Sequence, residues 1–192
     1  LYGTQSGATF GAAGYVQGTM TVTGNAFSAT DIRDYGFAPA RVGTAAGTFS
    51  KAAGTITGNI VAGGQTVNFS GGSVSASLYN YDNPAVLASA SGNWTLASLD
   101  GDTVFLSVQS NGTLSATTAS GCDFSGNVAS RPSGKNVFDA TITFGSTANC
   151  DFPNETFSGI ALAYPIGGGQ SQLLVALENG TRLFGNAAFG VR

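Results

Sequence analysis

Asp102-Thr-Val-Phe-Leu-Ser-Val-Gln-Ser-Asn-Gly-Thr-Leu-Ser-Ala-Thr117 decides the fold. Val104, Leu106 and Val108 alternate with polar or exposed-type residues, the period of a strand that buries one face. The pattern breaks at Ser110-Asn111-Gly112 and resumes over Thr113–Thr117. Asn-Gly can supply the two positive φ angles of a type I′ turn, so the stretch is predicted as a tight antiparallel hairpin. The same alternation continues on either side. Trp94-Thr-Leu-Ala-Ser98 enters this hairpin through Asp100-Gly101, and strands are predicted at Cys122–Ala129, Asn136–Phe144, Thr156–Tyr164, Gln172–Leu177 and Arg182–Val191. In Asn136–Phe144 the residues Phe138, Ala140, Ile142 and Phe144 share the expected core face.

The fold class is therefore all-β. Eight antiparallel strands with short turns predict an up-and-down barrel over residues 91–192, because closure removes edges that would otherwise aggregate. An open sandwich is the competing arrangement. Residues 1–90 read as a smaller, irregular β-rich subdomain with strands at Gly14–Val22, Phe27–Ile32, Gly47–Ser50, Thr55–Val61, Gln65–Ser70 and Ser73–Leu78. Turn signals lie at Gly24-Asn25, Gly63-Gly64 and Gly71-Gly72, and Tyr79–Pro84 reads as a connector ahead of the barrel.

Composition narrows the function. Only 9% of the 192 residues are charged, against about 25% in an ordinary soluble domain. Net charge is −3 and the isoelectric point about 4.5. Neither a nucleic-acid backbone nor an anionic membrane surface finds a basic face here. The chain has no histidine, which removes Ser-His-Asp and Cys-His catalysis and the commonest metal ligand. No enzyme activity, cofactor or metal is expected. Asp100 and Asp102 flank Gly101 and read as turn-forming, solvated carboxylates that fall short of a calcium loop.

Two cysteines occur, each opening the tripeptide Cys-Asp-Phe at 122–124 and 150–152. Reactive thiols would need a nearby cation, and an acidic residue follows each instead. The favoured reading is a Cys122–Cys150 disulfide, hence an oxidising compartment and an export signal already removed. The two cysteines flank an intervening strand, and next-nearest strands lie about 9 to 10 Å apart. A disulfide needs Cα atoms within about 7 Å, so the bond is predicted at a barrel end where loops fold over. For binding, Tyr35, Phe37, Tyr79 and Tyr81 form the candidate surface, since large loop aromatics favour interfaces. Trp94 is expected as a barrel-bottom plug or the wall of a pocket.

A longer pattern runs through the second half: Gly92-Asn-Trp-Thr95, Ser107-Val-Gln-Ser-Asn-Gly-Thr-Leu-Ser115, Gly121-Cys-Asp-Phe-Ser-Gly126, Asn136-Val-Phe-Asp-Ala-Thr-Ile-Thr-Phe144 and Thr156-Phe-Ser-Gly-Ile-Ala161. It resembles exported bacterial lipoproteins. The phrases Phe-x-Ala-x-Ile-x-Phe-Gly and Thr-Phe-Ser-Gly are similar to the C-terminal barrels of surface lipoproteins of the transferrin-binding and factor-H-binding type. The cysteine pair departs from the factor-H-binding kind, and no binding motif matches from which residues could be carried over. The resemblance implies a monomeric, non-enzymatic module in the periplasm or at the outer membrane or cell surface of a Gram-negative bacterium. It would bind an unidentified host or envelope protein or serve as an exposed structural module, and touch the membrane only through an N-terminal lipid anchor. The alternative expectation is a lipocalin-like carrier holding a small apolar ligand inside the barrel near Trp94. A carrier requires an apolar cavity above roughly 300 Å³.

Overall fold

A computed structural model describes residues 1–73 and 78–192. Most of the strand expected at Ser73–Leu78 lies outside the described residues. At the N-terminus, β1 (Tyr2–Ser6) and β2 (Thr9–Gly14) form a hairpin. The next segments are β3 (Val16–Gln17), β4 (Thr21–Thr23), β5 (Ala26–Asp34), β6 (Arg41–Ser50), β7 (Thr55–Ala62) and β8 (Gln65–Gly72). They make one antiparallel sheet in which β3 and β4 share an edge of β5. A single helical turn, α1 (Leu87–Ala90), precedes β9 (Gly92–Ser98), β10 (Thr103–Val108), β11 (Thr113–Thr118) and β12 (Asp123–Ser130). β13 (Phe138–Phe144), β14 (Thr156–Gly167), β15 (Gln170–Asn179) and β16 (Gly185–Val191) follow. These eight strands form a closed antiparallel barrel, with β16 returning to β9 through Ala188↔Ser98 and Phe189↔Ala97.

The hairpin predicted over Asp102–Thr117 is β10–β11, with Leu106 opposite Ala116. Its turn differs from the type I′ expectation. Only Gly112 has a positive φ, 89°, while Gly112 N–H donates to the Gln109 carbonyl and Gln109 N–H to the Thr113 carbonyl. That is a three-residue connection closed by a glycine bulge. Asn111 stays on the ordinary side because its Oδ1 accepts the Thr113 N–H at 3.0 Å. Both residues of a I′ turn are found instead at Gly63 and Gly64, with φ of 57° and 76°, between β7 and β8.

Alternation sorts the barrel's two faces. Trp94, Leu96, Val104, Leu106, Leu114, Phe138, Ile142 and Phe157 point inward and are buried, and Phe138 has no exposed surface. Each fully buried ring or branched chain stabilises by about 2 to 3 kcal/mol. The outer positions of β10 to β13 carry mostly Ser, Thr, Asn and Asp. This apolar-in, polar-out order is the inverse of a lipid-facing barrel. Tight curvature demands glycine at Gly126 and Gly159, where a Cβ would come within 1.9 Å and 2.1 Å of the facing Thr141 and Ala176 carbonyl oxygens.

The N-terminal half covers the outer face of β15 and β16. Tyr15 and Tyr35 stack with centroids 4.5 Å apart, and Tyr15 Oη donates to the Leu177 carbonyl at 2.6 Å. Gln172, 1% exposed, receives the Phe10 N–H at 2.8 Å and donates Nε2 to the Phe10 carbonyl at 2.6 Å. Arg182 reaches from the β15–β16 loop to Asp31 Oδ2 at 2.8 Å and Gln17 Oε1 at 3.0 Å. The predicted strand Gly14–Val22 is broken into the end of β2, β3 and β4. At Gly18 the backbone closes on Ile32, leaving 2.9 Å for an added Cβ.

Candidate functional site

Small side chains recur among the inward positions: Ala116, Ala140, Ala161 and Ala188 join Gly126 and Gly159. Large residues opposite them do not fill the space that is left. The barrel encloses a cavity of about 480 Å³ with walls of Leu106, Leu114, Ile142, Leu173, Val175 and Leu177. This exceeds the threshold set for a carrier and falls within the range of small-molecule sites.

One end is shut. Ala85 and Ala90 pack into the barrel core, and Trp94, 2% exposed, donates its Nε1–H to the Ala90 carbonyl at 2.8 Å. The Arg192 guanidinium lies 4.0 Å from the Trp94 ring centroid, and Arg192 Nη1 also donates to the Ser91 carbonyl. Trp94 therefore closes the base beneath the cavity, while Ala90 forms its floor.

The other end opens among loops. Phe124, Phe144, Phe152, Phe157 and Phe184 form a connected aromatic group there, with centroid separations from 5.0 to 6.4 Å, and all five line the cavity. Asp100, Asp102 and Asp151 line the same cavity. Asp102 Oδ2 accepts from Ser120 Oγ at 2.6 Å, which holds its carboxyl below the ordinary carboxylate range. Asp100 accepts from Ser98 Oγ and from Asn186 Nδ2 at 2.8 Å. Both thus build turns, as their sequence setting implied, and both also face the mouth. Phe37, 43% exposed, stands beside them under the Arg41 guanidinium, which lies 3.4 Å from its ring centroid.

The Cys122–Cys150 disulfide crosses this mouth, with Cα atoms 4.8 Å apart. It joins the β11–β12 turn to the β13–β14 loop, at a barrel end as the spacing argument required. Each Cys-Asp-Phe tripeptide consequently places its phenylalanine, Phe124 or Phe152, in the aromatic group.

The four aromatics proposed as one binding surface are not brought together. Tyr35 is 3% exposed, its hydroxyl donating to the Glu178 carboxylate, and lies near Phe37. Tyr79 and Tyr81 sit at the closed end. There Tyr79 donates to the Asn136 carbonyl and meets Tyr164 edge-on at 5.8 Å, while Lys135 Nζ lies 5.4 Å from the Tyr81 ring centroid. Of the four, Phe37 and Tyr81 alone are exposed, and they lie at opposite ends.

No family model matches this chain. No curated protein and no solved structure matches it either. The chemistry of the site rests on its own residues.

Sequence reading missed the mouth. Asp151 and Phe152 carry a signal in the doubled Cys-Asp-Phe tripeptide, whereas nothing in the local sequence marks Phe184 as part of the mouth. Of the two expectations for Trp94, the structure shows the plug at the barrel base and not the pocket wall.

Proposed function

We propose that the chain is a non-enzymatic binding protein that carries a small apolar molecule inside its barrel. The observation that carries this reading is the 480 Å³ apolar cavity, closed at one end and open at the other. A barrel with a purely structural role gains nothing from that void, because an unfilled interior forfeits packing contacts. The disulfide and the hydroxyl-rich, charge-poor surface support an exported compartment. Lipid attachment and a place at a Gram-negative envelope rest on the resemblance to surface lipoproteins.

Titration with N-phenyl-1-naphthylamine, an uncharged probe that brightens in apolar surroundings, tests the reading. The expected result is saturable one-to-one binding that dodecanol competes away. Ala140→Phe, which places a ring in the cavity, should abolish it while the far-ultraviolet circular dichroism stays unchanged. Ala161→Leu, a smaller intrusion, should weaken it. Failure of the folded wild-type protein to bind saturably would overturn the proposal.

A further inference from the structure

The cavity is apolar along its length but its mouth is anionic and aromatic. Among the described residues, the charged side chains that line it are Asp100, Asp102 and Asp151, and none of the lining residues is Lys or Arg. The Arg41 guanidinium lies 3.4 Å from the centroid of Phe37, at the edge of the mouth, and Arg182 is paired with Asp31 and Glu178 at 2.8 and 3.7 Å. A fatty acid would bring its carboxylate against three others, a repulsion that Arg41, over Phe37 at the edge of the mouth, offsets only in part. An ammonium group meets the opposite setting: carboxylates for Coulomb attraction and five phenylalanine rings whose negative faces attract a cation. Among the described residues no group of three or more His, Cys, Asp or Glu is arranged to hold a metal ion. The cation that suits the mouth is thus organic and attached to an apolar body.

Building on the carrier reading, we infer that the ligand is a cationic amphiphile, with its alkyl or ring portion in the barrel and its ammonium group at the Asp100–Asp102–Asp151 rim against the phenylalanine cluster. The rim supplies selectivity and the cavity supplies most of the affinity. Asp100 and Asp151 are exposed and Asp102 half-buried, and such carboxylates contribute modestly, so the preference over an uncharged head is expected at about tenfold and should shrink with added salt.

Isothermal titration with three twelve-carbon ligands below their micelle concentrations tests the inference: dodecyltrimethylammonium, dodecanol and dodecanoate. The expected order is ammonium tightest, alcohol about tenfold weaker and carboxylate weakest. In Asp100→Asn/Asp151→Asn the ammonium should fall to the level of the alcohol while the alcohol is unchanged. Equal binding of ammonium and alcohol, or tightest binding of dodecanoate, would overturn the charge inference and leave the carrier reading standing. Ammonium binding that survives Ala140→Phe would show surface adsorption and also overturn it. If none of the three saturates, the carrier reading itself falls.

Discussion

Gln172 shows how a single side chain can fix the relation of two halves. It lies on the outer face of β15, where a glutamine ordinarily meets water, yet it is buried and holds both backbone groups of Phe10 while Tyr164 Oη donates to it at 2.7 Å. Gln172→Ala should cost about 1 to 3 kcal/mol in denaturant unfolding, because the Phe10 N–H and carbonyl lose their partners. A conservative Gln172→Glu should not restore stability, since a carboxylate cannot donate to the Phe10 carbonyl. The sequence carried part of this. Leu173-Leu-Val-Ala-Leu177 is a continuous apolar run, the mark of a strand buried on both faces, and it departs from the alternation of its neighbours. Tyr35 was less legible. Its setting, Asp-Tyr-Gly-Phe, has the composition of an exposed loop, and its burial depends on Tyr15 and on Glu178, 143 residues away in sequence. No local pattern encodes a contact of that range.

Among the elements, most of the barrel strands were readable because their residues alternate against a single core, while β15 stood out by its unbroken apolar run. Their turns were less readable, since the same Asn-Gly pair serves a I′ turn or a bulged three-residue connection, and a side-chain cap on the backbone decides between them. The β1–β2 hairpin was missed because β1 is exposed throughout and the pair is glycine-rich, with a Cβ at Gly3 coming within 1.9 Å of the Gly11 carbonyl oxygen. The mouth of the cavity was legible only as chemistry, not as place: both cysteines and both flanking phenylalanines were visible, and closure of the barrel brought them together. The disulfide spans a separation of 28 residues, which corresponds to about 3 to 4 kcal/mol on the chain-entropy model. Cys122→Ser/Cys150→Ser should lower unfolding stability by that amount in urea. The same variant should broaden the amide signals of residues 119–122 and 145–155 while leaving those of α1 and β9 sharp.

For the whole molecule, phenols govern the alkaline limit. Burial pushes the hydroxyls of Tyr2, Tyr15 and Tyr35 above the ordinary tyrosine value of 10.0, assisted by Asp34 at Tyr2, by Tyr35 and Glu178 at Tyr15, and by Glu178 at Tyr35. Tyr2 rises to about 12. A folded-state value above the unfolded one means the stabilising contribution is complete below pH 10 and is lost as pH rises through the folded-state values. These three residues sit where the N-terminal half meets the barrel or beside it. Stability measured by urea unfolding should therefore hold up to about pH 10 and decline above it. Tyrosinate absorbance should rise together with loss of the near-ultraviolet dichroism. Tyr35→Phe, which keeps the stack on Tyr15, should make the decline shallower. The base formed by Ala90, Trp94 and Arg192 has a kinetic consequence. A vessel with one opening gives arrival and departure the same passage and hence the same barrier. By microscopic reversibility, a change that raises or lowers the barrier of that passage without touching the groups that hold the bound molecule alters both rates by one factor and leaves the equilibrium alone, so dwell time can change while affinity does not.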